Sequence, residues 1–345
     1  MTALKFNPKQ ITKRLISELP ERAQDIIVKR FGLEADEIMT LEAIGNIYDI
    51  TRERVRQIEN HSLNKLAESE TLKEHNDSLT ELREFVHELG IVVPESELLG
   101  RISQKRDVQN HVYLLLRLGE QFEYEKEDRH FTHRWFVDKV VHEAVKEALH
   151  TIHDLLGPED LVSEKEIIDW FRDRVNGESA PDRHLNDDEI VKRWLRLSKV
   201  VDRNPLGEWG LADSPNVRVK GVRDYAYLVI RQHGSPMHFT EVTKKIEELF
   251  DKSAHVATTH NELIKDNRFV LVGRGLYALK TWGYMEGVVK DVIRQILKQE
   301  GPMTRDEIVD RVLKERYVKP NTVVVNLQDA DLFEKRDDGK YLVKG

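Results

Sequence analysis

The sequence predicts a mainly α-helical protein with small β-hairpins, in which one N-terminal helical domain precedes several similar domains. Two observations predict this class. Two short helical stretches with capping threonines adjoin across a tight turn near the N-terminus, and a pattern of leucine and aromatic residues recurs four times beyond them. Each recurrence follows two helix-like stretches and ends in two strand-like stretches. We therefore expect five domains, at residues 1–75, 76–140, 141–215, 216–285 and 286–345.

Composition limits the functions that are open to the chain. The 345 residues carry a formal net charge of -8, with 39% hydrophobic and 34% charged residues, which suits several small domains. Cysteine is absent, which excludes disulfides and thiolate metal sites. No apolar run is long enough to cross a bilayer and no secretion signal follows Met1, so we expect a cytoplasmic, nucleoid-associated protein without membrane contact. The net acidity disfavours unspecific coating of nucleic acid, whereas a local basic surface can still bind DNA.

The stretch LEAIGNIYDITRERVRQIENHSLNKL, residues 41–66, contains the two adjoining helices. Thr40 and Thr51 can each cap a helix start, because a hydroxyl oxygen accepts a hydrogen bond from a free N–H group of the first turn. Between them we expect a short helix over Leu41–Ile47 and a tight turn at residues 48–50. This arrangement predicts a helix-turn-helix, whose second helix presents side chains to the major groove of DNA.

On a helical wheel, the second helix separates into an apolar and a polar face. The apolar face holds Val55, Ile58, Leu63 and Leu66, and the polar face holds Glu53, Arg56, Gln57, Asn60, His61 and Asn64. Arg forms bidentate hydrogen bonds with guanine, Gln forms them with adenine, and Glu accepts a hydrogen bond from the cytosine amine. The polar face therefore has groups that read base edges. Any solvated amphipathic helix also has a polar face, and the pattern alone leaves that alternative open.

Residues 19–66 closely resemble region 4 of the housekeeping sigma factors of bacterial RNA polymerase. LPERAQDIIVKRFGL resembles the helices before the helix-turn-helix, and the run TRERVRQIE is specific to the region. The resemblance implies that Arg52, Glu53 and Gln57 read bases of a promoter -35 element, and that Arg54 and Arg56 lie at the DNA backbone. It also implies that the helices before Thr40 dock on the flap of the polymerase core. The candidate DNA-binding residues are Arg52, Glu53, Arg54, Arg56, Gln57 and His61.

Two departures from the sigma pattern define the alternative functions. Sigma factors usually carry more Lys and Arg toward the end of this helix, where this sequence has His61, Asn64 and Ala67, with Lys65 as the basic residue. Nothing in the sequence resembles the sigma region that melts the -10 element, so we expect something other than a complete sigma factor. The chain is then either a DNA-binding transcription protein or a polymerase accessory subunit or interaction scaffold that does not read DNA sequence. A regulator tied to a restriction or defence system is a third alternative.

Beyond a polar stretch at residues 67–78, AESETLKEHNDS, which we interpret as a linker or a loose helix end, four segments repeat one pattern. In each, a leucine is followed six residues later by Phe or Val, and then by an aromatic residue on a strand-like stretch. The leucines are Leu116, Leu195, Leu263 and Leu327, their partners are Phe122, Val201, Phe269 and Phe333, and the aromatic residues are Trp135, Trp209, Tyr277 and Tyr341. Three helices followed by a hairpin form the winged-helix plan, in which the leucine belongs to the third helix.

Capping boxes and turn dipeptides mark the ends of these predicted elements. The capping boxes are Ser78 with Glu81, Ser163 with Glu166, and Thr304 with Glu307. The dipeptides Arg274-Gly275 and Asp338-Gly339 predict the hairpin turns of the last two copies.

The third copy, residues 222–284, is similar to the HARE-HTH domain. The similarity lies in the helix start HFTEV and in the strand GLYAL. That domain is a winged helix found in the delta subunit of some bacterial RNA polymerases and in chromatin and restriction proteins. The fourth copy, residues 287–344, resembles it more distantly. With the sigma-like segment, this resemblance implies a role in transcription.

The repeated segments offer further basic residues for DNA contact, on third helices and hairpins. These candidates are Lys192, Arg193, Arg196, Lys199 and Arg274. Acidic residues flank each cluster, so a solvated surface is the alternative.

No pattern in the sequence indicates catalysis, a cofactor or a metal. His130 with His133, and His150 with His153, have a spacing that can bind metal on a helix, but no third ligand follows at a fixed spacing. We therefore expect a protein that is not an enzyme and holds no metal or cofactor. Its expected partners are double-stranded promoter DNA and the RNA polymerase core.

Overall fold

The computed structural model describes residues 4–34, 37–175 and 183–344. Helices account for 58% of the structure and the sheets are small and antiparallel, so the mainly helical class is confirmed. The chain divides into two compact units. Unit 1 runs to Arg203 and includes Glu208–Ala212, and unit 2 consists of Asn204–Gly207 and the residues from Asp213 onward. No helix within the described ranges is long and apolar enough to span a membrane.

Five helices open unit 1, and two of them form the helix-turn-helix. They are α1 (Pro8–Ile16), α2 (Glu21–Phe31), α3 (Leu41–Tyr48), α4 (Arg52–Ala67) and α5 (Glu70–Glu74). The hydroxyl oxygen of Thr40 accepts a hydrogen bond from the Ala43 N–H, and that of Thr51 accepts one from the Arg54 N–H, both at 3.1 Å. Asp49 joins α3 to α4 in a left-handed backbone conformation, with φ of 51°. The predicted caps and turn are therefore confirmed.

The close approach of α3 to the start of α4 depends on Gly45. A Cβ atom at this position would lie 2.6 Å from the Ile50 carbonyl oxygen, which is too close for any side chain. Ile26, Ile44 and Val55 form a small core between α2, α3 and α4. This packing fixes the direction in which α4 points.

The interpretation of residues 67–78 as a linker is wrong. The segment contains α5 and the start of α6 (Asn76–Glu88). Leu72 and Leu79 are buried in the same core as α1 and α4, and their burial orders the polar residues around them. Ser78 lies inside α6, so it does not cap a helix start as predicted.

Four segments follow with nearly the same order of elements: a helix, a short strand or bridge, two helices and a hairpin. The first consists of α6, β1 (Val92–Pro94), α7 (Glu95–Ile102), α8 (Arg106–Leu118), β2 (Glu123–Glu125) and β3 (Arg134–Phe136). The second consists of α9 (Lys139–Leu155), α10 (Glu164–Val175), α11 (Asp188–Leu195), β4 (Val201–Arg203) and β5 (Trp209–Leu211), with a short 3-10 helix at Arg183–Asn186. Both segments belong to unit 1.

Unit 2 contains the last two segments. The third consists of α12 (Val222–His233), β6 (Met237–His238), α13 (Phe239–Phe250), α14 (Val256–Lys265), β7 (Phe269–Gly273) and β8 (Leu276–Leu279), followed by a 3-10 helix at Lys280–Trp282. The fourth consists of α15 (Val289–Glu300), β9 (Met303–Thr304), α16 (Arg305–Glu315), α17 (Pro320–Leu327), β10 (Phe333–Lys335) and β11 (Lys340–Val343). The capping boxes predicted at Ser163 and Thr304 are confirmed, since each hydroxyl accepts the N–H of the glutamate three residues on.

The sheets of the repeated segments share one topology. In the first, third and fourth segments the short strand pairs antiparallel with the last hairpin strand, giving the orders β1-β3-β2, β6-β8-β7 and β10-β11-β9. In the second segment an antiparallel bridge between Val162 and Trp209 takes the place of the short strand.

The repeated leucine pattern identifies core residues. The four leucines and their four Phe or Val partners are all buried. The aromatic residues Trp135, Trp209 and Tyr277 are buried, and Tyr341 is half-buried against the core of its segment. The prediction of which residues form these cores is therefore confirmed.

The cores of unit 1 cross the predicted domain boundaries. One core joins α1, α2, α4 and α5 to α6, α7 and α8. A second joins the helices of the second segment to Val92 and Phe136 of the first. The Trp194 indole N–H also donates to the Gly90 carbonyl oxygen at 2.9 Å. The boundaries predicted at residues 75 and 140 therefore fall inside shared cores.

Candidate nucleic-acid interface

Helix α4 turns one face to solvent and buries the opposite face. Val55 and Leu66 are fully buried, and Ser62 and Leu63 are nearly so. Gln57 lies opposite this buried stripe. Its exposed neighbours one turn before and after are Glu53, Arg54, Asn60 and His61. The structure thus brings two of the three predicted base-reading residues, Glu53 and Gln57, together on one surface, and Arg52 lies at the start of the same helix.

The charged groups of this face pair with each other. The Arg56 guanidinium donates to the two carboxylate oxygens of Glu53 at 2.9 and 2.6 Å. Arg54 donates to the Gln57 amide oxygen at 3.1 Å. The hydrogen bond from Arg56 lowers the pKa of Glu53, so the carboxylate stays ionised. Because Glu53 and Arg56 are both more than half exposed, this pair is weak and can exchange its partner for DNA.

Arg52 begins α4 and is exposed. Within the described part of the chain it has no hydrogen-bond or ion-pair partner, so its guanidinium is free to contact a base or a phosphate. The free N–H groups and the dipole at a helix start also favour a negative group. The first turn of α4 is therefore suited to contact the DNA backbone.

The far end of α4 carries little positive charge, as the sequence indicates. Lys65 donates to the Glu18 carbonyl oxygen at 3.1 Å. Glu59 lies 3.3 Å from the guanidinium of Arg30. The surface suited to DNA is thus the N-terminal part of α4, from Arg52 to His61.

The helices before Thr40 do not present their apolar side to solvent. They share a core with Val112 and Leu115 of α8, and the buried residues they contribute include Ile11, Leu15, Ile27 and Phe31. The Asn110 amide of α8 donates to the Gly32 carbonyl oxygen at 2.8 Å. Helix α8 therefore covers one side of the surface that the sigma resemblance assigns to polymerase docking.

Arg193, one of the predicted secondary contacts, is not a surface residue. It is 4% exposed, and its guanidinium donates to Glu97 at 2.8 Å and to the Leu89 carbonyl oxygen. Arg196 donates to the same carboxylate at 3.0 and 3.1 Å. Burial acts to raise the pKa of Glu97, but the hydrogen bonds and charges of the two arginines outweigh it and lower the pKa. The inclusion of Arg193 among the DNA contacts is wrong, because its guanidinium is enclosed within unit 1.

The other predicted secondary contacts reach the surface. Lys192 lies 2.8 Å from Glu164, and Lys199 lies 3.1 Å from Glu127. Arg274 lies at the exposed turn between β7 and β8 and has no partner among the described residues. Among the described residues, Arg274 is therefore the exposed cation of this set that no acidic group neutralises.

A cluster of ionisable groups surrounds the buried His142 in unit 1, and no sequence motif indicates it. Among the residues that the structure describes, Glu125, His142 and Glu143 place three ligand atoms within 4.8 Å of one another. Arg134 donates to His142 Nε2 at 3.0 Å and also pairs with Glu125. Burial lowers the pKa of His142 to about 4, so its ring is neutral near pH 7. A metal ion would need the lone pair of His142 Nε2, but this atom already accepts the hydrogen bond from Arg134, which also supplies positive charge. We therefore interpret the cluster as an ion-pair network.

Comparison with known proteins identifies the N-terminal segment. Residues 15–68 match the family model for sigma-70, region 4. They form a sigma-70 region 4 domain. This domain contains all of α2, α3 and α4, and the rest of the chain has no family assignment.

Three curated relatives of the region 4 domain are RNA polymerase sigma factors. SigA of Nostoc sp. is 43% identical over 54 residues, RpoD of Neisseria gonorrhoeae is 40% identical over 57, and RpoS of Coxiella burnetii is 44% identical over 54. Each alignment covers 16% of this chain and between 9% and 15% of the relative. Each of these three alignments is thus about as long as the region 4 domain, and the chain spans a small part of each relative.

Proposed function

We propose that the chain is a sigma-factor-like bacterial transcription protein, which docks on the RNA polymerase core and reads promoter DNA through α4. One observation carries the proposal: the region 4 domain exposes Arg52, Glu53 and Gln57, whose side chains are able to bond base edges, on α4. Arg52 would form bidentate hydrogen bonds with guanine, Gln57 would form them with adenine, and Glu53 would accept a hydrogen bond from the cytosine amine. Arg54, Arg56 and His61 would contact the backbone and the groove edge.

We further propose that residues 76–140, 141–215, 216–285 and 286–345 are winged-helix domains, the third of the HARE-HTH type. The repeated element order supports this assignment, as do the three-stranded sheets in which the short strand pairs with the last hairpin strand. The shared cores of unit 1 imply that its first two winged helices act as one body with the region 4 domain.

Docking on the polymerase flap would use the side of α1 and α2 that α8 leaves open. Lys13, Arg14 and Arg22 are the exposed cations of these two helices that we assign to this surface, and Arg14 pairs with Glu74 at 2.8 Å. Arg22 stacks over the ring of Tyr48 with 5.2 Å between the guanidinium carbon and the ring centre, which holds α2 against α3. A docking surface built from these cations would suit an acidic partner surface.

An accessory subunit or scaffold that does not read DNA sequence is the second candidate. Residues 76–212 carry 19 Lys and Arg against 29 Asp and Glu, and this excess of acidic groups would repel the DNA backbone. The enclosure of α8, the third helix of the first segment, also favours a structural role for that segment.

Fluorescence anisotropy with a -35-like duplex and a scrambled duplex tests base reading by the full chain. Arg52→Ala and Gln57→Ala should each reduce the preference for the promoter duplex, by about 1–3 kcal/mol per lost bidentate contact. Arg83→Ala, which removes an exposed arginine from α6, is the matched control and should leave the preference unchanged. Unchanged preference in both α4 variants would reject base reading and favour the second candidate.

Capture of the tagged protein from a bacterial lysate, with and without nuclease, tests polymerase docking. Both candidate functions predict that the large polymerase subunits remain bound after nuclease treatment. Loss of the polymerase on nuclease treatment would show that DNA alone connects the two proteins and would reject docking.

A further inference from the structure

The third helices of the repeated segments differ in what they expose. Helix α8 is enclosed nearly all round, and even its polar Asn110 and His111 are buried. Helix α11 begins with the exposed acids Asp188 and Glu189, which would repel DNA phosphates. Helix α14 differs from α8 and α11, because its solvent side is open and its first turn carries no acidic residue. Helix α17 also lacks an acid in its first turn, but its exposed residues include no cation.

The exposed face of α14 is centred on Asn261. Thr259 and Leu263 are buried on the opposite side of the helix. Asn261 is exposed, and its exposed neighbours one turn before and after are Ala257, Thr258, Ile264 and Lys265. Within the described part of the chain, neither the Thr258 nor the Asn261 side chain has a hydrogen-bond partner, so these side chains are free to bind.

This face combines the Asn261 amide, the small Ala257 and Thr258 side chains, the larger apolar side chain of Ile264 and the cation of Lys265. An asparagine amide pairs with the N6 and N7 atoms of adenine, and alanine or threonine methyl groups pack against the thymine methyl. No arginine lies on the face to fork onto guanine. The chemistry of α14 therefore matches A·T base pairs in the major groove.

The surroundings of α14 permit an approach to DNA. Lys265 ends the helix, and Arg274 lies exposed at the turn of the following hairpin. Residues 213–345 carry 23 Lys and Arg against 20 Asp and Glu, whereas the whole chain carries 54 against 62. Because residues 213–345 carry a positive balance, they repel DNA phosphates less than the acidic residues 76–212 would.

We propose that α14 is a second DNA-reading helix, which binds an A·T-rich duplex with Asn261 on an adenine and Ala257 and Thr258 against thymine methyl groups. Lys265 and Arg274 contact the flanking phosphates. The inference deepens the proposed function, since it rests on the winged-helix assignment of the third segment, but it does not depend on base reading by α4.

Selection of bound sequences from a random duplex library, with the full chain at one fixed salt concentration, tests the proposal. The wild-type protein should enrich an A·T-rich element, and Asn261→Ala should reduce that enrichment about tenfold. Ala257→Glu, which puts a carboxylate against the groove, should abolish the enrichment. Gln299→Ala removes an exposed amide from α15 in the same unit and should leave the enrichment unchanged.

The Arg52→Ala variant distinguishes DNA reading by α14 from DNA reading by α4. It should remove enrichment of a -35-like element and leave the A·T-rich element in place. If the A·T-rich element survives while Arg52→Ala has no effect, reading by α4 fails and reading by α14 stands. If the wild type enriches no A·T-rich element, or Asn261→Ala and Ala257→Glu leave it unchanged, α14 does not read DNA. Its exposed Val256 and Ile264 would then point to a protein partner.

Discussion

The hydroxyl of Thr12 in α1 and the imidazole of His111 in α8 form a hydrogen bond of 2.5 Å, although 99 positions separate them in the sequence. The Thr12 hydroxyl also donates to the Pro8 carbonyl oxygen at 2.9 Å, and the tautomer of His111 determines which group donates in the bond between Thr12 and His111. His111 Nε2 has no partner among the described residues. Burial lowers the pKa of His111, so the folded protein holds a neutral imidazole between α1 and α8.

We predict that unit 1 loses stability as the pH falls below about 6.5, the ordinary pKa of histidine. Burial lowers the pKa of His111, and it lowers that of His142 to about 4. Below pH ~6.5 these histidines are protonated in the unfolded chain but stay neutral in the folded protein, so the free energy of unfolding decreases. For His142 this decrease continues until the folded ring also takes up its proton, near pH 4.

Urea unfolding at several pH values, from about 7.5 to about 4.5, measures this dependence. His111→Asn keeps a nitrogen donor near Thr12 but does not titrate, so its free energy of unfolding should change less with pH than that of the wild type. His61→Asn, on the exposed face of α4, is the matched control and should keep the wild-type dependence. The same pH dependence in His111→Asn and the wild type would contradict a neutral, buried His111.

The sequence predicted local features well because neighbouring residues determine them. The caps at Thr40 and Thr51 depend on hydroxyls and N–H groups three residues apart. The polar face of α4 follows from the spacing of Val55, Leu63 and Leu66 along one helix. The same reasoning found the buried leucines of the four repeated segments.

Features that depend on distant residues could not be predicted in the same way. Arg193 is buried because Glu97, 96 positions earlier, receives its guanidinium. The polar stretch around Leu72 is helical because that side chain enters a core shared with α1 and α8. Neither partner is indicated by local periodicity, so Arg193 looked like a surface cation and residues 67–78 looked like a linker.

We predict that Arg193→Ala destabilises unit 1 by roughly 2–4 kcal/mol, because it leaves the Leu89 carbonyl oxygen and the half-buried Glu97 with fewer donors. Urea unfolding measures the change. Arg203→Ala, which removes an exposed arginine from β4, is the control and should change the free energy of unfolding by less than about 0.5 kcal/mol. A loss as small in Arg193→Ala as in the control would show that the buried pair with Glu97 does not stabilise the fold.

We predict that Gly275→Ala destabilises unit 2 by about 1–3 kcal/mol. Gly275 has a φ of +70°, and a Cβ atom there would lie 2.6 Å from Nε2 of His238. Gly221 is the matched control, because its backbone is extended and a Cβ atom would meet nothing within 4 Å. Thermal unfolding of both variants should show a lower transition temperature for Gly275→Ala alone. Equal transition temperatures would mean that the hairpin turn relaxes to accept a side chain.

Glu53 and Arg56 should have opposite effects on DNA affinity, although they pair in the free protein. Arg56→Ala removes a backbone contact, so binding to promoter and scrambled duplexes should weaken about equally. The slope of log affinity against log salt should then decrease in magnitude by about one. Glu53→Ala removes a carboxylate that repels phosphates and releases Arg56, so affinity for both duplexes should rise. Discrimination at a cytosine-containing position should fall, because the acceptor for the cytosine amine is lost.

Anisotropy titrations of both variants at four or more salt concentrations measure these effects, with Arg83→Ala as the control. Salt dependence is the decisive quantity, because a protein contact made by Arg56 would not release counterions from DNA. If Arg56→Ala leaves the salt slope of DNA binding unchanged, the exposed face of α4 does not touch the DNA backbone. The polar face would then be better explained as a protein-binding surface, which favours an accessory-subunit function for the region 4 domain.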